Sequence, residues 1–276
     1  MKWLVLTLFG FTLPAIADEA RVVSLGGSVT EIVVALGAAD RLVARDTTSN
    51  YPQSVTALPD VGYIRALSPE GVLSVQPTLI LAEDDAGPPE ALEVLNAAGI
   101  PLAIMPGDPS PEGVIAKITA VAGALNLPVQ GTKLAAEVAA GFDAARAEAA
   151  TVTTPKKVLF ILSLQGGRVM AGGASTEAEG IIALAGGVNA ASGFDGYKPM
   201  TDEAVLTAAP DVILMMEREG DMAIANADVQ GQPALAASPA AASGAIIRMD
   251  GMLLLGFGPR TPEAVRALHA ALYPKG

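Results

Sequence analysis

Residues 67–81 read Leu67-Ser-Pro-Glu-Gly-Val-Leu-Ser-Val-Gln-Pro-Thr-Leu-Ile-Leu81, and residues 200–214 read Met200-Thr-Asp-Glu-Ala-Val-Leu-Thr-Ala-Ala-Pro-Asp-Val-Ile-Leu214. The two stretches align without a gap. Each has a hydroxyl residue suited to cap a helix, an acid in the first turn, a proline that ends the helix and an apolar run typical of a strand. A weaker match places residues 31–36 on residues 179–184 in the same order. The sequence therefore predicts two related α/β units.

Short apolar runs alternate with helical patterns along the rest of the chain. The predicted strands are 21–25, 79–82, 102–105, 157–162, 212–215 and 245–248, and the predicted helices between them include 29–36 and 89–98. Strands that alternate with helices favour parallel sheets covered on both faces. The predicted fold is α/β, with two Rossmann-like lobes built on central parallel sheets.

An alanine-rich segment separates the two units. Leu134, Val138 and Phe142 recur in it at helical spacing. A helix of about 20 residues is about 30 Å long, enough to cross from one lobe to the other. The predicted organisation is an N-terminal lobe over 18–127, a connecting helix over 128–154 and a C-terminal lobe over 155–276. A rigid connector of this kind implies small lobe movements.

The first 17 residues predict export. Lys2 is followed by an apolar run over 3–13, and Ala15-Ile16-Ala17 offers a small-residue cleavage site before Asp18. The run is shorter than the ~20 residues that a membrane span needs. We therefore expect a signal peptide over 1–17 and a mature protein in the periplasm of a bacterium; a buried N-terminal strand or a retained anchor are the alternatives.

The composition excludes several classes of function. A net charge of −12 without a basic run argues against binding nucleic acid or anionic lipid. The absence of cysteine excludes disulfides and thiolate metal sites, and a single histidine excludes a multi-histidine metal site within one chain. A secreted enzyme that binds a nucleotide at Ser24–Ser28 or Gly166-Gly167 is the alternative from another class. Neither stretch has the full dinucleotide fingerprint.

Five stretches carry a family resemblance. They are Asp60-Val-Gly-Tyr-Ile-Arg-Ala-Leu-Ser-Pro-Glu70, Gly87-Pro-Pro89, Leu184-Ala-Gly-Gly-Val-Asn189, Gly196-Tyr-Lys-Pro199 and Leu254-Leu-Gly-Phe-Gly-Pro-Arg260. In this order they resemble the haem-binding periplasmic proteins of bacterial ABC importers. These proteins belong to the helical-backbone class of substrate-binding proteins, which also serves cobalamin and ferric siderophores.

The resemblance implies that haem lies in the cleft between the lobes, with Tyr63 as the axial ligand of its iron. Phenolate is an established haem ligand type. Arg65 would then either stabilise this phenolate or pair with a haem propionate. The expected function is delivery of haem to an inner-membrane ABC permease and its ATPase for iron acquisition, with no bond made or broken. A ferric-siderophore or cobalamin carrier is the alternative, and a monomer is expected.

The second lobe offers Tyr197, Arg168 and Arg218 as candidates for the opposite wall of the cleft. His269 lies beside the apolar side of a C-terminal helix and is expected to be a half-buried helix residue, so the iron should be five-coordinate. Three methionines either line the porphyrin, supply a weak thioether ligand or pack in the core: Met215, Met216 and Met222.

Glu70 and Glu203 occupy equivalent places in the two copies of the repeat. The resemblance implies that one surface glutamate of each lobe docks onto arginines of the permease. The helix dipole alone also favours an acid in the first turn, so a purely local role is the alternative.

Overall fold

The computed structural model describes residues 20–165, 167–217 and 224–274. The expected signal peptide lies outside these ranges, as do Gly166, Arg218 and Met222. Within the described ranges, no helix combines the length and the apolar character that crossing a membrane requires.

Strands and helices alternate along both halves of the chain. The strands are β1 (Val22–Leu25), β2 (Leu42–Arg45), β3 (Leu79–Glu83), β4 (Leu102–Met105), β5 (Lys157–Gln165), β6 (Arg168–Gly172), β7 (Val188–Asn189), β8 (Tyr197–Met200), β9 (Val212–Glu217) and β10 (Ile246–Asp250). The helices are α1 (Gly27–Ala35), α2 (Pro69–Ser74), α3 (Pro89–Ala97), α4 (Pro111–Ala124), α5 (Pro128–Ala149), α6 (Glu177–Leu184), α7 (Asp202–Ala208), α8 (Asn226–Gly231), α9 (Pro233–Ala236), α10 (Pro239–Ser243), α11 (Gly251–Leu255) and α12 (Thr261–Leu272). Three 3-10 turns cover Ala39–Arg41, Gln53–Ala57 and Ile64–Ala66.

The strands form two sheets, one in each half of the chain. The first has the order β2-β1-β3-β4 and is parallel throughout. The second has the order β10-β9-β5-β6-β8, with β7 beside β5. It is mixed rather than parallel as predicted, because β6 runs antiparallel to β5 and to β8. Only two residues separate β5 from β6, which is too short for the crossover that parallel strands need.

The internal repeat is present in the backbone. The hydroxyl groups of Ser68 and Thr201 cap α2 and α7, each accepting a hydrogen bond from the N–H three residues on. After each helix, a residue at the same place in the repeat takes a left-handed conformation, with φ 51° at Gln76 and φ 43° at Ala209. β3 and β9 then begin at equivalent positions. The two units are therefore related in local structure as well as in sequence.

The largest apolar core runs through both lobes. It joins side chains of both sheets to those of α1, α4, α5, α6 and α12, including Val22, Leu81, Ile118, Phe142, Phe160, Ile182, Leu214 and Leu268. Two smaller cores cover the outer faces of the first and the second sheet. Because protein cores are close-packed, a core shared by the lobes fixes how they lie relative to each other.

The helix α5 connects the lobes along this core. Its 22 residues span about 33 Å, and it packs on α4 of the first lobe and α12 of the second. Two glycines of α5 allow these helices to pack closely. A Cβ at Gly131 would collide with Ala122 of α4, and one at Gly141 would lie 2.9 Å from the Cβ of Pro262 of α12.

A second link between the lobes is the ion pair of Arg260 with Glu31. Arg260 donates from Nε and Nη2 to the two carboxylate oxygens, at 2.9 and 2.5 Å, and its guanidinium stacks 3.5 Å from the ring centroid of Tyr51. Burial raises the pKa of Glu31, and the hydrogen bond from Arg260 opposes that shift. The stretch Leu254–Arg260 thus holds the second lobe against α1 of the first.

Candidate ligand-binding site

The site residues of the first lobe follow the carboxyl ends of its parallel strands. The segment after β2 leads to Tyr63 and Arg65, and the turn after β3 carries Asp85. Because all four strands of this sheet run in the same direction, these segments meet at one edge. In open α/β sheets this edge is where ligands bind.

Tyr63, Arg65 and Asp85 form a hydrogen-bonded row. Arg65 donates from Nη1 to the Oη of Tyr63 at 2.7 Å, and from Nη2 to Oδ2 of Asp85 in an ion pair. Burial alone would lower the pKa of Arg65, but the bond to Tyr63 and the charge of Asp85 raise it. A guanidinium cannot accept a hydrogen bond, so the Tyr63 oxygen is the acceptor. Tyr63 is 43% exposed, so it is a surface side chain rather than part of the core.

Local packing explains why these two side chains point outward. Ile64 and Leu67 are buried in the core under the first sheet and anchor the 3-10 turn that contains Arg65. Gly62, with φ 102°, makes the sharp turn before Tyr63, and its N–H donates to Asp60 at 2.9 Å. Because Ile64 between them is buried, Tyr63 and Arg65 both point away from the core and lie side by side.

Tyr197 of the second lobe lies beside a carboxylate, whereas Tyr63 lies beside a cation. Its hydroxyl donates to Oε2 of Glu177 at 2.8 Å, and its ring packs edge-on against Phe160. Burial raises the pKa of Tyr197 well above its usual range, and the charge and hydrogen bond of Glu177 raise it further. The charge of Arg65 acts on Tyr197 in the opposing direction. The guanidinium of Arg65 in the first lobe therefore acts electrostatically on Tyr197 in the second.

Arg168 shares a face of the second sheet with Tyr197. Gly172 of β6 pairs with Tyr197 of β8, and Met170 pairs with Pro199. Alternate residues of a strand point to the same face, so the register places Arg168, Met170 and Tyr197 on one side. Along β6, Arg168 lies four residues from Gly172, the residue that pairs with Tyr197, and this separation corresponds to about 13 Å. It is exposed, and among the described residues it has no ion-pair partner.

The remaining candidates of the second lobe are less informative. Arg218 and Met222 fall outside the described residues. Met215 is buried in the core on the outer face of the sheet, whereas Met216 is half-buried against the shared core. His269 is half-buried on α12 as expected, with Nδ1 3.0 Å from the carbonyl oxygen of Ala185.

Residues 22–253 match the protein family described as periplasmic binding protein. The chain belongs to this family. Several solved structures, including those of two haem-binding proteins, resemble it over nearly their whole length. The periplasmic haem-binding protein RhuT from Roseiflexus sp. RS-1, in apo form, has a TM-score of 0.89 and 40% identity, over 93% of this chain and 98% of that one. The periplasmic haem-binding protein BhuT, in complex with two haems, has a TM-score of 0.88 and 41% identity, over 92% and 97%.

Vitamin B12-binding proteins are also similar to this periplasmic binding protein. The one from Vibrio campbellii is 27% identical over 212 residues, which is 74% of this chain and 76% of that protein. The one from Yersinia pestis (strain Pestoides F) is 42% identical over 98 residues, covering 36% and 35%. The chain therefore lies in the helical-backbone class that contains both haem and vitamin B12 binders.

Glu70 and Glu203 lie on the surface of this periplasmic binding protein, each in the first turn of its helix. Glu70 accepts a hydrogen bond from Ser68 at 2.8 Å. Its own backbone N–H and that hydroxyl lower the pKa of Glu70, which favours its charged form. The structure thus exposes one carboxylate at the equivalent place in each lobe.

The glycine-rich turn after β1 is occupied by the protein's own carboxylate. Oε1 of Glu83 accepts hydrogen bonds from the N–H and the hydroxyl of Ser28, at 3.1 and 2.6 Å, at the start of α1. Lys117 donates to the same hydroxyl at 2.8 Å. Burial raises the pKa of Glu83, and the charge of Lys117 opposes the shift. Because a carboxylate fills the position that a phosphate would take at a helix N-terminus, this turn gives no support to a nucleotide site.

Asp85 and Glu177 are site residues that were not predicted from the sequence. Asp85 comes shortly after a predicted strand, and polar residues in that position often lie at the ligand-binding edge of a parallel sheet. Its position could therefore have indicated a site residue. Glu177 follows the capping residue Thr176 in the first turn of α6. It looks in sequence like any other acid of a first turn, and nothing marks it as the partner of Tyr197.

Proposed function

We propose that this protein binds haem in the periplasm and delivers it to an inner-membrane ABC permease and its ATPase for iron acquisition. The observation that carries the proposal is Tyr63, an exposed tyrosine at the carboxyl edge of the first sheet, whose oxygen accepts a hydrogen bond from Arg65. An oxygen with this environment is suited to bind ferric iron as phenolate. The protein's work is binding, with no catalytic step.

The comparisons support haem over vitamin B12 as the ligand. Identity to the two haem-binding proteins is 40% and 41% over more than nine-tenths of the chain. Identity to the vitamin B12-binding protein from Vibrio campbellii is 27% over 74% of the chain. Identity to the one from Yersinia pestis is 42%, but over only 36% of the chain. Identity that extends over both lobes carries more weight, because both lobes form the cleft.

In the proposed complex, Tyr63 ligates the iron and Arg65 stabilises its phenolate form, since a nearby cation favours the charged state. Both terminal nitrogens of Arg65 already have partners, Tyr63 and Asp85. This arrangement supports the role beside the phenolate rather than the pairing with a propionate.

The face of β6 and β8 would form the opposite wall. Met170 and Pro199 offer an apolar surface to the porphyrin, and Tyr197 closes one end of it. Arg168, at the other end, is an exposed cation without an ion-pair partner among the described residues, and it would pair with a propionate. Arg218 remains a further candidate for this wall.

Delivery would use Glu70 and Glu203, one on each lobe. Their equivalent, exposed positions suit two matching contacts with arginines on the periplasmic side of the permease. Export through the signal peptide over 1–17 would place the mature chain there.

Vitamin B12 is the second candidate ligand, because vitamin B12-binding relatives match the chain. Titration of the purified mature protein, first with haemin and then with cyanocobalamin, separates the two. We expect haemin to give a saturable high-spin spectrum with a phenolate-to-iron charge-transfer band, and cyanocobalamin to give no saturable change. Saturable binding of cyanocobalamin alone would replace haem by cobalamin and leave the carrier function in place.

A further inference from the structure

Asp85 holds the end of Arg65 that Tyr63 does not occupy. The guanidinium has two terminal nitrogens; one donates to the phenol oxygen and the other to the carboxylate. We infer that Asp85 is a positioning residue that orients Arg65 toward Tyr63. This inference rests on the proposed function, because it assigns the row Tyr63–Arg65–Asp85 the task of preparing an iron ligand.

The loop that carries Asp85 is fastened to the turn that carries Arg65. The N–H of Gly87 donates to the carbonyl of Ile64, and the N–H of Leu67 donates to the carbonyl of Gly87, both at 2.9 Å. Pro88 and Pro89 follow and restrict the backbone φ angles. The stretch Gly87-Pro-Pro89 thus keeps the carboxylate at a fixed place relative to Arg65.

Arg65 needs such a partner because its side chain is 55% exposed. A long side chain at an exposed site has many accessible rotamers and could turn toward solvent or a propionate. A carboxylate that engages one end of the planar fork sets the direction of the other end. Asp85 thereby keeps Nη1 on the Tyr63 oxygen instead of on the porphyrin's acids.

The first test compares haemin binding by Asp85→Ala and Asp85→Asn with binding by Asp84→Asn. Hydrogen bonds to charged groups are stronger than neutral ones, so we expect Asp85→Ala to weaken haemin affinity about tenfold or more and to shift the phenolate-to-iron band. Asp85→Asn keeps an oxygen acceptor and should lose about threefold. Asp84→Asn makes the same charge change at the neighbouring exposed residue and should match the wild type.

The second test needs no ligand. The chain has four tyrosines, so 13Cζ-tyrosine labelling of the apo protein gives few resonances, and Tyr63→Phe assigns one of them. We expect Asp85→Ala, but not Asp84→Asn, to shift the Tyr63 resonance. An unshifted resonance together with unchanged haemin affinity would overturn the role of Asp85. A shifted resonance in a protein that binds no haemin would refute the proposed function and leave the positioning role standing.

Discussion

The two lobes repeat one local pattern and differ in what surrounds it. In each lobe a glycine with positive φ, Gly62 or Gly196, precedes a tyrosine, and a capped helix with a first-turn glutamate follows within a few residues. The tyrosines diverge in their partners. Tyr63 accepts a hydrogen bond from a cation, whereas Tyr197 donates one to a carboxylate.

This difference assigns the two phenols different chemistry. The Tyr63 oxygen is an acceptor beside a cation and can bind a metal, whereas burial and a carboxylate acceptor hold the phenol of Tyr197 in its neutral form. We infer that Tyr63 is the ligand and that Tyr197 shapes the opposite wall. An equivalent position in a repeat therefore does not imply an equivalent role.

The largest expected effect comes from removing the oxygen of Tyr63. Tyr63→Phe keeps the ring but deletes the proposed iron ligand, so haemin affinity should fall about 100-fold, or about 2.7 kcal/mol. The phenolate-to-iron band should disappear from the visible spectrum of the complex.

Tyr197→Phe is the matched control for this experiment. It deletes the same atom from the other lobe, where the hydroxyl is bound to Glu177. We expect the band to remain and the affinity to change only about threefold, because the bond that is lost joins two groups of the protein and not the protein to the iron. The comparison would be reversed if Tyr197→Phe abolished the band while Tyr63→Phe retained it.

Sequence reasoning was strongest where the information is local. Strand and helix patterns, the repeat and the Tyr-x-Arg segment all lie within short stretches, and the structure contains both lobes and brings Arg65 onto Tyr63. The missed features join distant segments. Asp85 is 20 residues from Arg65, Glu177 is 20 from Tyr197 and Arg260 is 229 from Glu31. Such contacts depend on how distant loops meet after folding, and a pattern within one short stretch of sequence does not specify them.

A smaller effect is expected on the outer surface, where the lobes are alike. Glu70→Ala and Glu203→Ala should each reduce stimulation of the permease ATPase about tenfold, comparable to the loss of one charge-assisted contact, and should leave haemin affinity unchanged. ATPase activity of the transporter in proteoliposomes, with haem-loaded binding protein added, measures this.

Glu90→Ala is the control, because Glu90 is an exposed first-turn acid of α3 that lies outside the repeat. It should stimulate the ATPase like the wild type. If only one of Glu70 and Glu203 mattered, or if Glu90 mattered equally, symmetric docking through the repeat would be wrong.

The smallest effect concerns Glu177, which should act on the ligand through Tyr197. Glu177→Gln keeps an oxygen acceptor for the phenol but removes the charge, so we expect haemin affinity to change about threefold and the phenolate band to persist. A double-mutant cycle with Tyr197→Phe tests whether Glu177 affects haemin affinity through the Tyr197 hydroxyl. If Glu177 works through the hydroxyl, the substitution should have no further effect in the Tyr197→Phe background. An equal effect in both backgrounds would mean that Glu177 contacts the ligand itself, and the wall of the second lobe would then carry a charge that faces the porphyrin.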